Sequence, residues 1–103
     1  MIRDIQPHIN TLQTALAPSA RILAARALSG GRHCSTDTVK GILFHVVQHD
    51  PCPLVRACCI DELCKLGYYD TAFLDHLKKA CDDSSEDVRT AARDALLKMT
   101  PRR

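Results

Sequence analysis

Apolar residues recur along the chain at intervals of three and four, which is the spacing of an amphipathic α-helix. Proline, glycine and helix-capping residues divide this pattern into six segments, and none shows the alternation of a β-strand. Six short helices are therefore predicted, over residues 6–17, 18–29, 37–49, 53–66, 71–81 and 86–99. Leu16 is placed on the apolar face of the first helix and Leu23 on that of the second. The predicted fold class is all-α.

The predicted helices form three pairs whose second members repeat one another without gaps. Arginine recurs as Arg21, Arg56 and Arg89, at intervals of 35 and then 33 residues. Each arginine follows a small residue or valine and is followed at fixed distances by a small residue and a leucine. A period of one helical hairpin indicates a stacked array. We expect an α-solenoid of three stacked antiparallel hairpins in a single domain, residues 1–103, with repeats at about 4–30, 35–67 and 70–100.

Two of the repeats share a longer motif that begins with an aspartate. The motif reads Asp50-x5-Arg56 followed by Cys59 and Leu63, and Asp83-x5-Arg89 followed by Ala92 and Leu96. It resembles the HEAT repeat, in particular the short bacterial form also found in phycobilisome-lyase-like proteins, and the resemblance covers nearly the whole chain. This implies a HEAT-like superhelix in which the aspartate and the arginine bond between successive repeats as a ladder. The first repeat departs from the pattern, since Ala15 replaces the aspartate, as it would in a terminal capping repeat.

The core of such an array must consist of aliphatic and small side chains, because 46% of the residues are hydrophobic and only 4% are aromatic. Small residues at equivalent positions, Ala24, Cys59 and Ala92, would allow the helices to approach closely. Three of the six cysteines occupy positions that other repeats fill with apolar residues: Cys58, Cys59 and Cys81. Because a free cysteine behaves as a small hydrophobic residue, these three thiols are expected in the core.

One pair of histidines could contribute to a metal site. His45 and His49 lie four residues apart on the third predicted helix, so their side chains can face one site, and Cys52 follows in the turn. A structural zinc site needs about four ligands, and the fourth would have to come from His33 or Cys34 in the preceding loop. The alternative is that both histidines lie on the solvent-exposed face of the helix. No CxxC pair is present, and no cofactor is expected.

Motifs for enzyme chemistry are absent from the sequence. Gly30-Gly31 leads into a polar loop without a phosphate-binding lysine motif, and no nucleophile elbow occurs. The carboxylates of Asp61-Glu62 and Asp82-Asp83 are interpreted as helix caps and solvent-exposed groups. The phycobilisome-lyase-like relatives bind a bilin chromophore, but three repeats without a large aromatic pocket are too small for that chemistry. We predict that the protein is not an enzyme. The alternatives are a zinc-binding or bilin-lyase-like protein and a protein with a DNA-repair-like activity.

The resemblance to HEAT repeats implies that the second helices line a concave surface. We expect two apolar residues to be exposed in this layer, Ile60 and Leu97, and Ile60 is flanked by Arg56, Lys65 and Arg93. An exposed aliphatic residue surrounded by charges can anchor a partner peptide or helix. The predicted function is therefore a small interaction or scaffold module that binds another protein or peptide through the concave face of its second helices.

A nucleic-acid-binding module is the opposite interpretation, because arginines of the second helices could form a basic face. The charge balance disfavours it, since 14 basic and 12 acidic residues give a formal charge of only +2. Acidic residues also alternate with the basic ones, and Arg26 with Asp61 is the first inter-repeat ion pair that we expect. Tryptophan is absent, which leaves few side chains for stacking on bases.

The terminal helices could also pair between copies, so self-association is a further expectation. The N-terminal residues contain no continuous apolar segment, and no run approaches the about 18–20 apolar residues that span a membrane. We therefore expect a cytoplasmic protein with reduced thiols and no membrane association. Met1 and the polar tail at residues 101–103 suit a complete small protein, although a piece of a longer solenoid would look similar.

Overall fold

The fold is taken from a computed structural model, which describes residues 5–31 and 36–99. Six α-helices occupy these residues: α1 Gln6–Thr14, α2 Pro18–Gly30, α3 Asp37–His49, α4 Pro53–Lys65, α5 Thr71–Ala80 and α6 Glu86–Met99. Consecutive helices pair as three hairpins, in which α1, α3 and α5 are the first helices and α2, α4 and α6 the second helices. The stack measures 42 × 27 × 18 Å. The prediction of an all-α solenoid is confirmed.

Local chemistry fixes the ends of the helices. Proline occupies the first turn of α1, α2 and α4, where its missing N–H removes no helical hydrogen bond. The side chain of Thr36 accepts a hydrogen bond from the Val39 N–H at the start of α3, and Asp70 accepts one from the Ala72 N–H at the start of α5. Gly67 follows α4 with a φ of +71°, a left-handed conformation that glycine adopts without strain. These residue types explain the short turns that hold each hairpin together.

The first helix ends earlier than the sequence pattern predicts, at Thr14 rather than at residue 17. Ala15 and Ala17 both have extended backbone conformations, with ψ angles of 135° and 124°. Pro18 excludes the helical conformation at the residue before it, so the chain leaves α1 before it enters α2. Leu16 therefore lies outside the helix and is 95% exposed. The expectation that Leu16 belongs to the apolar face of α1 was wrong.

The second helices form the continuous layer of the solenoid. α4 packs against both α2 and α6, whereas each first helix packs mainly against the second helix of its own hairpin. Ala24, Cys59 and Ala92 are buried at equivalent positions, and their small side chains let the helices approach closely. Between the second and third hairpins, the rings of Phe44 and Phe73 meet edge to face with their centroids 5.7 Å apart. One apolar core runs through all three hairpins.

Helix faces that point toward a neighbouring hairpin are buried inside the stack and exposed at its ends. Ala25, Ile60 and Arg93 occupy equivalent positions on α2, α4 and α6. Ala25 and Ile60 are completely buried, whereas Arg93 is exposed because no following hairpin covers it in the described structure. The expectation that Ile60 is an exposed anchor was wrong, since this side of α4 packs against α6.

The opposite side of each second helix shows the same dependence on its neighbour. Leu23, Cys58 and Ala91 are equivalent, and Cys58 and Ala91 are buried. Leu23 is 66% exposed, because no hairpin packs against this side of α2 in the described structure. Its assignment to the buried face of α2 was therefore also wrong. A position can be core in one repeat and surface in another.

Glu62 is a buried carboxylate that the sequence analysis had interpreted as solvent-exposed. The Ser29 hydroxyl donates a hydrogen bond to Glu62 Oε1, and the Lys65 Nζ lies 3.4 Å from Glu62 Oε2. A buried charge requires partners, and these two contacts explain why the Glu62 carboxylate can be buried inside the stack. The Ser29 contact also joins α2 to α4, so Glu62 links the first and second hairpins.

The cysteines should differ in reactivity according to their burial. Cys58 and Cys59 are buried, and burial raises the pKa of both thiols, whereas Cys52 and Cys64 are partly exposed. We expect iodoacetamide to modify Cys52 at least tenfold faster than Cys59 in the native protein, because only the exposed thiolate reacts readily. Peptide mass spectrometry over a time course measures both rates, and modification in denaturant provides the control. Equal native rates would show that Cys59 is not in the core.

Candidate functional site

The Arg21 guanidinium forms a buried, bidentate ion pair with Asp50. Arg21 Nε and Nη2 donate to the two carboxylate oxygens at 2.8 and 3.0 Å, and the hydrogen bond raises the pKa of Arg21. Arg21 Nη1 donates to the carbonyl oxygens of Ala15 and Leu16. Asp50 also accepts the Cys52 N–H at 2.8 Å, which fixes the turn before α4. The arginine of the first hairpin therefore reaches forward to the aspartate of the second.

The same arrangement recurs one repeat later in a more open form. Arg56 Nη1 donates to the Asp50 carbonyl oxygen at 2.7 Å, and Arg56 Nη2 lies 3.6 Å from Asp83 Oδ1. In the third hairpin, Arg89 Nη1 donates to the Asp83 carbonyl oxygen at 2.8 Å. Each arginine thus bonds the carbonyl six residues before it, an acceptor that needs no aspartate side chain. This explains why the first repeat can contain Ala15 and still contribute Arg21 to the ladder.

A cavity of about 600 Å³ lies beside this ladder, between the end of α1 and α3. The exposed side chains of Leu16, His45 and His49 contribute to its walls. Its charged lining groups, Arg21 and Asp50, are already bonded to each other. The cavity therefore offers apolar and imidazole contacts but no unpaired charge for recognition.

The structure brings together only two members of the predicted metal site. The rings of His45 and His49 lie with their centroids 4.5 Å apart. No group of three His, Cys, Asp or Glu side chains that could hold a metal ion occurs within residues 5–31 and 36–99. Cys52 therefore does not join the histidine pair, and the proposed fourth ligands, His33 and Cys34, lie outside the described residues.

A second groove, of about 420 Å³, crosses all three second helices. We call it the second-helix groove, and its lining is Ile22, Arg26, Leu54, Ala57, Cys58, Asp61, Glu86, Asp87, Thr90, Ala91 and Asp94. The residues of α4 in this set are spaced by three, one and three, so they form a single stripe along that helix. Since each repeat contributes one helix, the groove exists only when the hairpins are stacked.

The floor of the second-helix groove is apolar. Ala57, Cys58 and Ala91 are buried beneath it, and Ile22 is half-buried at one end. Leu54 lies at the start of α4 with 53% of its surface exposed, although it is a large apolar residue. A leucine in this position can bury further surface only when another molecule covers the groove.

The walls of the second-helix groove carry mainly negative charge. Asp61, Glu86, Asp87 and Asp94 oppose the single cation Arg26. The expected ion pair between Arg26 and Asp61 is absent from the described structure, because both side chains are exposed and such pairs gain little in water. Burial raises the pKa of Asp61, the positive charge of Lys98 outside the groove opposes the shift, and the negative charge of Asp94 adds to it.

The residues predicted to bind a partner differ in exposure. Ile60 is buried, Arg56 is half-buried in the ladder, and Lys65 lies beside Glu62. Arg93 and Leu97 are exposed on α6, where Leu97 is 69% exposed, but neither lines the groove.

The sequence pattern did not predict the contributions of Leu54, Glu86 and Asp87 to the groove. They lie in the first turns of α4 and α6, where such residues are typical of a helix start. In the alignment of the second helices, Leu54 and Asp87 match Ser19 of the first repeat, and Glu86 matches Pro18.

Similarity to known proteins agrees with this architecture. A family model described as HEAT repeats matches residues 5–97, which covers all six helices except the last two residues of α6. Neither a curated protein nor a solved structure matches the chain. In the part of the chain that is described, no helix has the length and apolar character needed to cross a membrane. The extent of the match, together with the stacked hairpins, shows that the chain belongs to the HEAT repeat family.

Proposed function

We propose that the protein is an interaction module that binds a segment of another protein in the second-helix groove. The observation that carries this proposal is the position of Leu54, a half-exposed leucine beside an apolar floor between charged walls. Such a groove buries apolar surface only when it is occupied, and its charges select among partners. HEAT repeats are commonly interaction modules.

The alternative role in binding nucleic acid has less support. Arg21, Arg56 and Arg89, three of the second-helix arginines expected to form a basic face, all donate hydrogen bonds within the ladder. The second-helix groove itself would repel phosphate, because carboxylates dominate its walls. An enzymatic role also lacks support, since HEAT repeat proteins are typically non-enzymatic.

A peptide-display selection against the full chain tests the proposed site. Enriched peptides should lose about tenfold in affinity for Leu54→Ser, because burial of a leucine contributes about 1.5–3 kcal/mol. Leu97→Ser is the matched control, since Leu97 is also an exposed leucine on a second helix but lies outside the groove. Fluorescence anisotropy with the labelled peptides measures both affinities. Peptides that are insensitive to Leu54→Ser, or sensitive only to Leu97→Ser, would contradict the proposal.

A further inference from the structure

We infer that the natural occupant of the second-helix groove is a basic amphipathic helix of another protein. Its apolar stripe would lie on the floor around Leu54, and its lysine or arginine side chains would face the carboxylates of the walls. This inference rests on the proposed function and adds the chemistry of the partner.

The charge of the groove is opposite in sign to that of the whole chain. The lining of the groove carries a formal charge of −3, from four carboxylates and one guanidinium, in a chain whose total charge is +2. Charges of one sign within a groove focus the electrostatic field and attract the opposite sign.

The four groove carboxylates contribute little to the fold through side-chain contacts, although Glu86 and Asp87 lie in the first turn of α6, where negative charge favours the start of the helix. Asp50, Glu62 and Asp83, which lie outside the groove, each contact a cation within 4 Å. By contrast, no side-chain hydrogen bond or ion pair joins the groove carboxylates to other residues in the described structure. The mutual repulsion of Asp61 and Asp94 would decrease when a cation enters between them.

The carboxylates are also arranged for a long ligand rather than for a point charge. Asp61 lies on α4, whereas Glu86, Asp87 and Asp94 are distributed over two turns of α6. No three of them come close enough together to hold a metal ion within the described ranges. A ligand that matches this distribution must carry several positive charges along its length.

The dimensions and the floor of the groove favour a helix as that ligand. Packed helices lie about 8–10 Å apart, so a ligand that crosses α2, α4 and α6 spans about 16–20 Å, or about three helical turns. The floor residues Ala57, Cys58 and Ala91 are small, which permits a helix to approach closely. A helix also presents apolar and basic residues on separate faces, as the apolar floor and acidic walls require.

Three synthetic helical peptides of about 18 residues test this inference with the full chain. The first has leucines spaced by three and four and lysines elsewhere; the second replaces every lysine by glutamate; the third contains the residues of the first in an order without an apolar stripe. Isothermal titration calorimetry at low salt should detect binding of the first peptide only. Binding of the glutamate peptide, or equal binding of the scrambled peptide, would overturn the inference.

Charge-neutral variants locate the binding. The double variant Asp61→Asn, Asp87→Asn should lower the affinity for the lysine peptide about tenfold. The control is Asp75→Asn, Asp82→Asn, which changes the net charge equally at exposed residues outside the groove and should leave the affinity within about twofold. Equal losses in both variants would show a general effect of net charge and overturn the inference.

The failure of this inference is distinguishable from the failure of the proposed function. If displayed peptides depend on Leu54 but the lysine peptide does not bind, the groove is an interaction site and the basic helix is the wrong partner. If no peptide of either kind depends on Leu54, the proposed function itself is wrong.

Discussion

Replacing Asp50 by alanine is expected to lower the free energy of unfolding by about 3–5 kcal/mol, the cost of breaking a buried ion pair by removing one partner. The variant leaves the Arg21 guanidinium buried without its carboxylate, since the side chains of Arg21 and Asp50 are only 10% and 5% exposed. It also removes the acceptor for the Cys52 N–H in the turn before α4. Denaturant unfolding at pH 7, followed by circular dichroism, measures the change.

Asp83→Ala provides the matched control in the next repeat. Asp83 accepts the Ser85 N–H at 2.8 Å, as Asp50 accepts the Cys52 N–H at the same distance, so both variants lose one turn hydrogen bond. The ion pair of Asp83 with Arg56 is longer, 3.6 Å, and more exposed, so its loss should cost about 1 kcal/mol or less. Similar destabilisation by the two variants would show that the turn bond, and not the ion pair, dominates.

Replacing Ile60 by alanine should destabilise the protein by about 2–5 kcal/mol, because the substitution leaves a cavity in the core. Ile60 is completely buried on the side of α4 that packs against α6. Denaturant titration of the variant at 25 °C measures the change in the free energy of unfolding, and thermal unfolding measures the change in melting temperature.

Arg93→Ala is the control for Ile60→Ala, because Arg93 holds the equivalent position on α6. Arg93 is exposed, and its replacement should change the stability by no more than about 0.5 kcal/mol. If Ile60→Ala were equally harmless, then α4 and α6 would not pack through this face in solution.

The repeat pattern predicted the fold because it depends on local residue types. Prolines and capping residues mark the helix ends, and the spacing of arginine and leucine identifies the hairpins. The lateral faces of the helices were harder to predict, as Ile60 and Leu23 illustrate. Whether such a residue is buried depends on the presence of a neighbouring hairpin, which the periodicity within one helix does not report.

The candidate site was predicted less well than the fold. Arg26 and Asp61, which the sequence pattern predicted to lie near each other in adjacent repeats, both line the second-helix groove. Leu54 was not predicted to be the exposed apolar residue, because that role was assigned to Ile60, which is buried. The alignment fixes which positions are equivalent, but the angle at which successive hairpins stack decides which of them share a groove.

The burial of Ile60 and the exposure of Arg93 also give the hairpins a fixed order. Exchanging the second and third hairpins in the chain would place the Arg93 guanidinium between two helices and expose Ile60 to water. The contact of Glu62 with Ser29 would be lost in the same exchange, because it requires the first hairpin as the immediate neighbour. Although the repeats have similar sequences, they are therefore not interchangeable modules, and a shuffled chain would lose stability while keeping its composition.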